Sequence, residues 1–133
     1  MMKPNRTSRT GDAMRTTALI LATLTTLLPM QAGAADTDHR VTDRSEFVSL
    51  VAGRQLTHLG VALTVGDNGR ISGRAFGKAV TGSWNWQDGY FCRTMTWGDE
   101  VLPHNCQTVR LEGSRLRFTS DQGAGDYARL TLK

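Results

Sequence analysis

From about position 57 to the C-terminus, apolar and polar residues alternate with period two, and glycine-containing turns break the alternation every 8–12 residues. This pattern leaves little room for anything but an antiparallel β-meander. Each turn sets a register, so the registers can be tested against one another. Gly77-Lys78, with glycine first, suits a two-residue type II′ turn. It would pair Ala75 with Val80, Gly73 with Gly82 and Ile71 with Trp84. A three-residue loop at Asp67-Asn68-Gly69, with Gly69 left-handed, pairs Val65 with Ile71, Leu63 with Gly73 and Val61 with Ala75. Gly113-Ser114 pairs Leu111 with Leu116 and Val109 with Phe118. A five-residue loop at 121–125 sets Phe118 against Ala128 and Leu116 against Leu130. All four turns yield one continuous apolar face, which a one-residue slip would have mixed with the polar one.

Asp88-Gly89 admits two registers. A type I′ turn pairs Trp86 with Phe91, Trp84 with Arg93 and Gly82 with Met95; a three-residue loop instead turns Cys92 inward beside Trp84. The first is preferred, because it keeps Phe91, Met95 and Trp97 on the apolar face. Cys92 and Cys106 then point outward.

Seven strands follow, at about 57–65, 70–76, 79–86, 90–97, 105–112, 115–120 and 126–132. The predicted fold is all-β, a seven-stranded antiparallel meander. Such a sheet curls into a small calycin-like barrel or half-barrel to remove its edges. Facing glycines at Gly73 and Gly82 would permit the tight coil. Ahead of it, Asp43-Arg44-Ser45-Glu46 reads as a capping box. Phe47, Leu50 and Val51 follow at helical spacing, and Gly53 suits the C′ position. One short N-terminal helix is predicted over 44–52, covering an open end or a gap. Positions 43–133 form the single barrel-like domain, and 35–42 is read as a loose N-terminus.

The N-terminal segment has a different character. Met14-Arg15 leads into the 11-residue apolar run Ala18–Leu28, then Pro29 and the small-x-small triplet Ala32-Gly33-Ala34. This is the pattern of a secretory signal peptide over 1–34. Residues 1–13 are either a long basic leader or lie upstream of a true start at Met14. The run is short of the roughly 20 residues that span a bilayer as a helix, and no cysteine lies near Ala34, so no membrane anchor is expected. The implied compartment is the bacterial periplasm or the medium. There, the only two cysteines, Cys92 and Cys106, are expected to form a disulfide.

The formal charge of +4 is largely a property of this leader. Four of the 16 basic residues and one of the 12 acidic residues precede the cleavage site, leaving 12 against 11. That balance excludes the concentrated basic face that nucleic acid requires.

The candidate site residues are Trp84, Trp86, Arg93 and Trp97, all placed on the inner face. The tryptophans either line a site for an apolar or planar ligand or pack the core of a small domain. Arg93, inward beside Trp84, is a cation–π partner at the barrel mouth, a charge facing an anionic ligand, or a snorkelling side chain with its stem buried and its head in water. No catalytic or metal-ligating residues are predicted. His39, His58 and His104 lack ligand spacing, Asp99-Glu100 are adjacent charges in a turn, and no G-x-S-x-G nucleophile motif occurs. Gly123-Ala124-Gly125-Asp126-Tyr127-Ala128 matches G-x-G-x-x-A, but that fingerprint needs a helix behind it. The residues after it alternate like a strand, so no cofactor is expected.

The segments Gly82–Arg93 (GSWNWQDGYFCR), Asn105-Cys106 and Phe47–Leu56 (FVSLVAGRQL) resemble a family of small exported alphaproteobacterial proteins of unestablished function. Its members sometimes carry the automatic label dihydrodipicolinate reductase. The resemblance covers most of the mature chain and implies no particular catalytic residues. The function expected is non-enzymatic periplasmic binding of a small apolar or planar ligand. The alternatives are a protein-interaction or inhibitor module acting through the outer sheet face around Cys92–Cys106, and an enzyme of unknown reaction.

Overall fold

The computed structural model describes residues 38–133; the predicted signal peptide, 1–34, lies outside them. The elements are β1 (Asp38–Val41), α1 (Arg44–Val51), β2 (Leu56–His58), β3 (Val61–Val65), β4 (Arg70–Ala75), β5 (Lys78–Gln87), β6 (Tyr90–Trp97), β7 (Glu100–Glu112), β8 (Arg115–Thr119) and β9 (Tyr127–Leu132), with a 3-10 turn at Asp121–Gly123 before β9. Strands β2 to β9 pair in sequence, and β2 also pairs with β9, which closes an eight-stranded antiparallel barrel. β1 is a ninth strand, outside the barrel count.

Most of the predicted registers hold. Leu63 faces Gly73 and Val65 faces Ile71, with Gly69 left-handed at φ +81°. Asp88 and Gly89 take φ of +52° and +82°, the type I′ pattern, and set Trp86 against Phe91 and Trp84 against Arg93. Val109 faces Phe118, and Leu116 faces Leu130.

Four features differ from expectation. First, the strand read over 57–65 is a hairpin: Gly60, at φ +73°, turns the chain so that His58 faces Val61. Leu56 is thereby buried and Leu59 is 82% exposed. Second, the β4–β5 turn is Phe76-Gly77 rather than Gly77-Lys78, with φ of +51° and +80°. The register slips by two residues, so Gly73 faces Val80 and Ile71 faces Gly82. A slip of two preserves the face of every side chain, and the core is unchanged. A left-handed aromatic residue is strained. Here the Phe76 N–H donates to the Gly60 carbonyl (2.8 Å), and the ring lies edge-on to Trp97 at 6.3 Å.

Third, β7 starts at Glu100 rather than 105. A bulge sets Pro103 and His104 together between the Met95–Leu102 and Arg93–Asn105 pairs, a position where proline's missing N–H is tolerated. The second half of β7 pairs with β8 on one side and β1 on the other. Asp38–Val41, read as loose, thus forms a strand along the edge of β7 beyond the end of β6, and Val41 is fully buried there. Fourth, α1 begins where predicted, but the capping box does not form. Asp43 is an extended N-cap with no side-chain cap bond, and the Glu46 carboxylate contacts His39 on β1 instead. Gly53 does take the left-handed conformation, φ +67°.

Since neighbouring strands alternate in direction, the turns at 66–69, 88–89 and 113–114 lie at one end of the barrel. Those at 59–60, 76–77, 98–99 and 121–125 lie at the other. α1 seals the first end. Phe47, fully buried, sits 5.2 Å from Trp84, 5.3 Å from Trp86, 5.1 Å from Phe91 and 6.3 Å from Phe118 between ring centroids. Val51 is buried beside this cluster. The indole N–H of Trp84 donates to the Gly66 carbonyl (2.9 Å), and that of Trp86 donates to Thr42 (3.1 Å), which satisfies both polar handles. The Arg44 guanidinium stacks over Trp84 and bonds the Asp67 carbonyl at 2.7 Å.

Two variants test this packing. Phe47→Ala removes the centre of the aromatic cluster and is expected to cost about 3–5 kcal/mol, read as a lower urea midpoint. At Gly82, an added Cβ would lie 2.3 Å from the Thr94 carbonyl oxygen and 3.0 Å from the Met95 Cα. Backbone cannot yield as a side-chain tip does. Gly82→Val should therefore cost about 1–3 kcal/mol through overpacking; an unchanged midpoint and slope would contradict this close approach of β5 to β6.

Candidate functional site

A cavity of about 850 Å³ occupies the half of the barrel away from α1. Its inner wall is apolar: Leu56, Leu63, Val65, Ile71, Phe91, Met95, Phe118 and Leu130. Polar groups enter at Arg93, Gln107, Ser120 and Asp126, with His58, Arg115 and Arg129 also contributing. A smaller cavity of about 190 Å³, lined by Val80, Ala75, Trp97 and Leu102, shares Leu63, Phe76 and Met95 with it.

The opening follows from how the barrel closes. β2 pairs with β9 only at Leu56–Leu132 and Thr57–Thr131, extended by reciprocal bonds between Gln55 and Lys133 (2.8 and 2.9 Å). The chain then turns away into β3 at Leu59-Gly60. Past Thr131, toward Tyr127, β9 has no partner on that side. Five consecutive residues, Tyr127–Thr131, line the cavity. A strand within a closed wall shows only alternate residues to one side, so this run marks an open seam. Ala128, inward by its pairing with Phe118, is accordingly solvent-exposed. Three large apolar residues stand exposed on this side: Leu59, Phe76 (67%) and Tyr127 (52%).

The four candidate residues separate. Trp84 and Trp86 belong to the sealed end, against Phe47. Trp97 lies toward the open end, its indole N–H donating to the Ala75 carbonyl (2.7 Å) and its ring under the Lys78 ammonium at 4.4 Å. Arg93 lines the main cavity. The bulge at Pro103-His104 positions it, and its Nη1 donates to the Pro103 carbonyl at 2.8 Å. Its Nε is buried without a hydrogen-bond partner, and burial pulls the guanidinium below its ordinary pKa. Inward-facing Gln107 and Ser120 escaped the sequence reading. Gln107 is the one buried polar side chain among the described residues, and its Nε2 donates to Ser120 Oγ at 3.2 Å. Period-two alternation puts Gln107 on the inner face with Val109. Ser120 reaches the cavity only because the 121–125 loop is tied down, Asn105 Nδ2 donating to Asp121 Oδ1 (2.8 Å) and Asn105 Oδ1 accepting from the Asp121 N–H (3.0 Å).

The outer face of β7–β9 carries a charged network. Arg129 Nε donates to Glu112 at 2.8 Å, Arg117 lies 3.6 Å from the same carboxylate, and Arg110 pairs with Asp38 at 2.7 Å. Tyr127 lies under both the Arg117 guanidinium (3.9 Å) and that of Arg129 (4.8 Å). The bond from Arg129 holds the Glu112 carboxyl below its usual range.

Cys92 and Cys106 are bonded, and stand directly opposite each other on β6 and β7 with Cα atoms 3.9 Å apart. Both project from the outer face, yet Cys92 is buried. The sulfurs lie near His104, but joined to each other they leave it as the single donor, which does not make a metal site. The G-x-G-x-x-A stretch runs from the 3-10 turn into β9, so a strand stands where the dinucleotide fingerprint requires a helix. No protein-family model, curated protein or solved structure matches this chain.

The disulfide closes a short loop, its ends 14 residues apart in sequence. Replacing both cysteines with alanine is expected to lower stability by about 3 kcal/mol on the chain-entropy account. A thiol titration of native, unreduced protein should find no reactive thiol; two would refute the bond.

Proposed function

We propose that this protein is an exported, non-enzymatic binding protein that holds a small apolar or planar molecule inside its barrel. The observation that carries the reading is the cavity of about 850 Å³ with a mostly apolar wall. Its volume falls in the range of small-molecule sites, roughly 300–1,000 Å³. The cavity is sealed at the α1 end and open beside β9, as a carrier needs for exchange. Trp97 belongs to the mouth in this reading, Arg93 to the wall, and Trp84 and Trp86 support the sealed end rather than touch ligand. Export rests on the leader pattern at 1–34, and the Cys92–Cys106 bond suits an oxidising compartment. The resemblance to small exported alphaproteobacterial proteins belongs to the same proposal.

Native mass spectrometry of protein purified from its own periplasm should show a non-covalent small-molecule adduct. Ala128→Trp, which places an indole in the cavity mouth, should abolish the adduct while leaving the far-ultraviolet circular dichroism unchanged. A ligand-free wild-type protein that instead retains a protein partner would favour the interaction-module reading.

A further inference from the structure

The walls of this cavity are not uniformly apolar, and their polar groups are mostly donors. Arg93 lies on the inner face of β6, opposite Asn105. Among the described residues it forms no ion pair, and of its donors only Nη1 is used, on the Pro103 carbonyl. A partly buried cation with no counter-charge is an unfavourable arrangement unless something supplies that charge. Ser120 Oγ accepts from Gln107 Nε2, so its own hydrogen remains to be donated. Gln107 in turn is held in the wall with one of its two amide hydrogens committed to Ser120. Charges at the seam favour an anion as well: the outer-face residues Arg115 and Arg129 lie at its rim with Asp126, Arg129 already matched by Glu112.

We propose that the molecule bound in this cavity is an amphiphile with a carboxylate head, and that Arg93, assisted by the Ser120 hydroxyl, receives that head while the apolar wall takes its hydrocarbon body. The inference rests on the cavity being a ligand site. A carboxylate is the acceptor that a guanidinium fork matches in shape and charge. The body would lie along Leu63, Ile71, Met95 and Leu130, away from the aromatic plug at the α1 end. Asp126 is the one acid in the wall, and it disfavours a second anionic group near the loop. The ligand is therefore expected to carry a single negative charge.

The test compares dodecanoate with dodecanol, each below its aggregation concentration, by calorimetric titration of the wild-type protein and of Arg93→Gln, Arg93→Lys and Ser120→Ala. The wild type should bind the acid at least about tenfold more tightly than the alcohol, the gain expected of a charge-assisted hydrogen bond. Arg93→Gln should erase that preference while keeping the affinity for dodecanol. Arg93→Lys should restore part of it, and Ser120→Ala should reduce it without erasing it. Equal affinity of the wild type for acid and alcohol would overturn the assignment of the head group and leave the cavity reading standing. A preference that survives in Arg93→Gln would do the same for Arg93. If neither probe binds, the cavity reading fails, and this inference with it. Should Arg93→Gln not fold, the wild-type comparison together with Ser120→Ala decides the question.

Discussion

The packing of Phe47 against Trp84, Trp86, Phe91 and Phe118 is the contact on which the remaining architecture depends. A barrel of short strands, many of them carrying glycine or small residues inward, cannot fill its own interior. This one divides the problem. Five aromatic rings, one delivered by α1, fill the end of the barrel beneath the helix. Beyond them the interior, floored by Phe91 and Phe118 and otherwise walled mainly by aliphatic side chains, stays hollow. Removing the helix would take Phe47 and Val51 out of the core and expose the end of the barrel where Trp84 and Trp86 pack against Phe47. The helix is therefore part of the core, not a cover laid over it.

The open end has an equally local origin. Gly60 turns the chain after only three residues of β2, so β2 is too short to pair along the whole of β9. Closure is achieved by three residue positions near the C-terminus, Thr131, Leu132 and Lys133, and the wall beyond them is a seam. Phe76, held in a left-handed conformation over Gly60, stands at the side of that seam with Leu59 and Tyr127. Strained backbone often collects where function needs an unusual shape, and here it places an exposed aromatic ring at the cavity mouth.

Much of the fold was legible in the sequence because parity is robust. The β4–β5 turn was misplaced by one position and the register by two residues, yet every inward residue stayed inward, since side chains repeat with period two. Asp88-Gly89 and Gly69 were readable because left-handed turns select a narrow set of residues. The division of 57–65 into two strands was not readable: His58-Leu59-Gly60-Val61 lacks the usual signal of a tight turn, and Leu59, though exposed in that turn, stands in phase with Val61, Leu63 and Val65. β1 was also missed. Four residues as polar as Asp38-His39-Arg40-Val41 carry no strand signal of their own, and the exposed edge of β7 beyond β6 provides it.

The sequence alone determined the class of the fold, the direction of nearly every strand residue, the disulfide partners and the placement of Arg93 on the inner face. These follow from alternation, turn chemistry and cysteine count, all of which are local or nearly so. Only the tertiary structure decided that three tryptophans with the same inward parity have different roles. Parity says which face a side chain takes but not its height along the barrel axis, and height separates Trp84 and Trp86, beside Phe47, from Trp97 near the mouth. Whether the barrel is hollow was likewise beyond the sequence. It depends on the volume left after α1 docks, and on how far β2 runs beside β9, and both are set by contacts between residues as distant as Leu56 and Leu132.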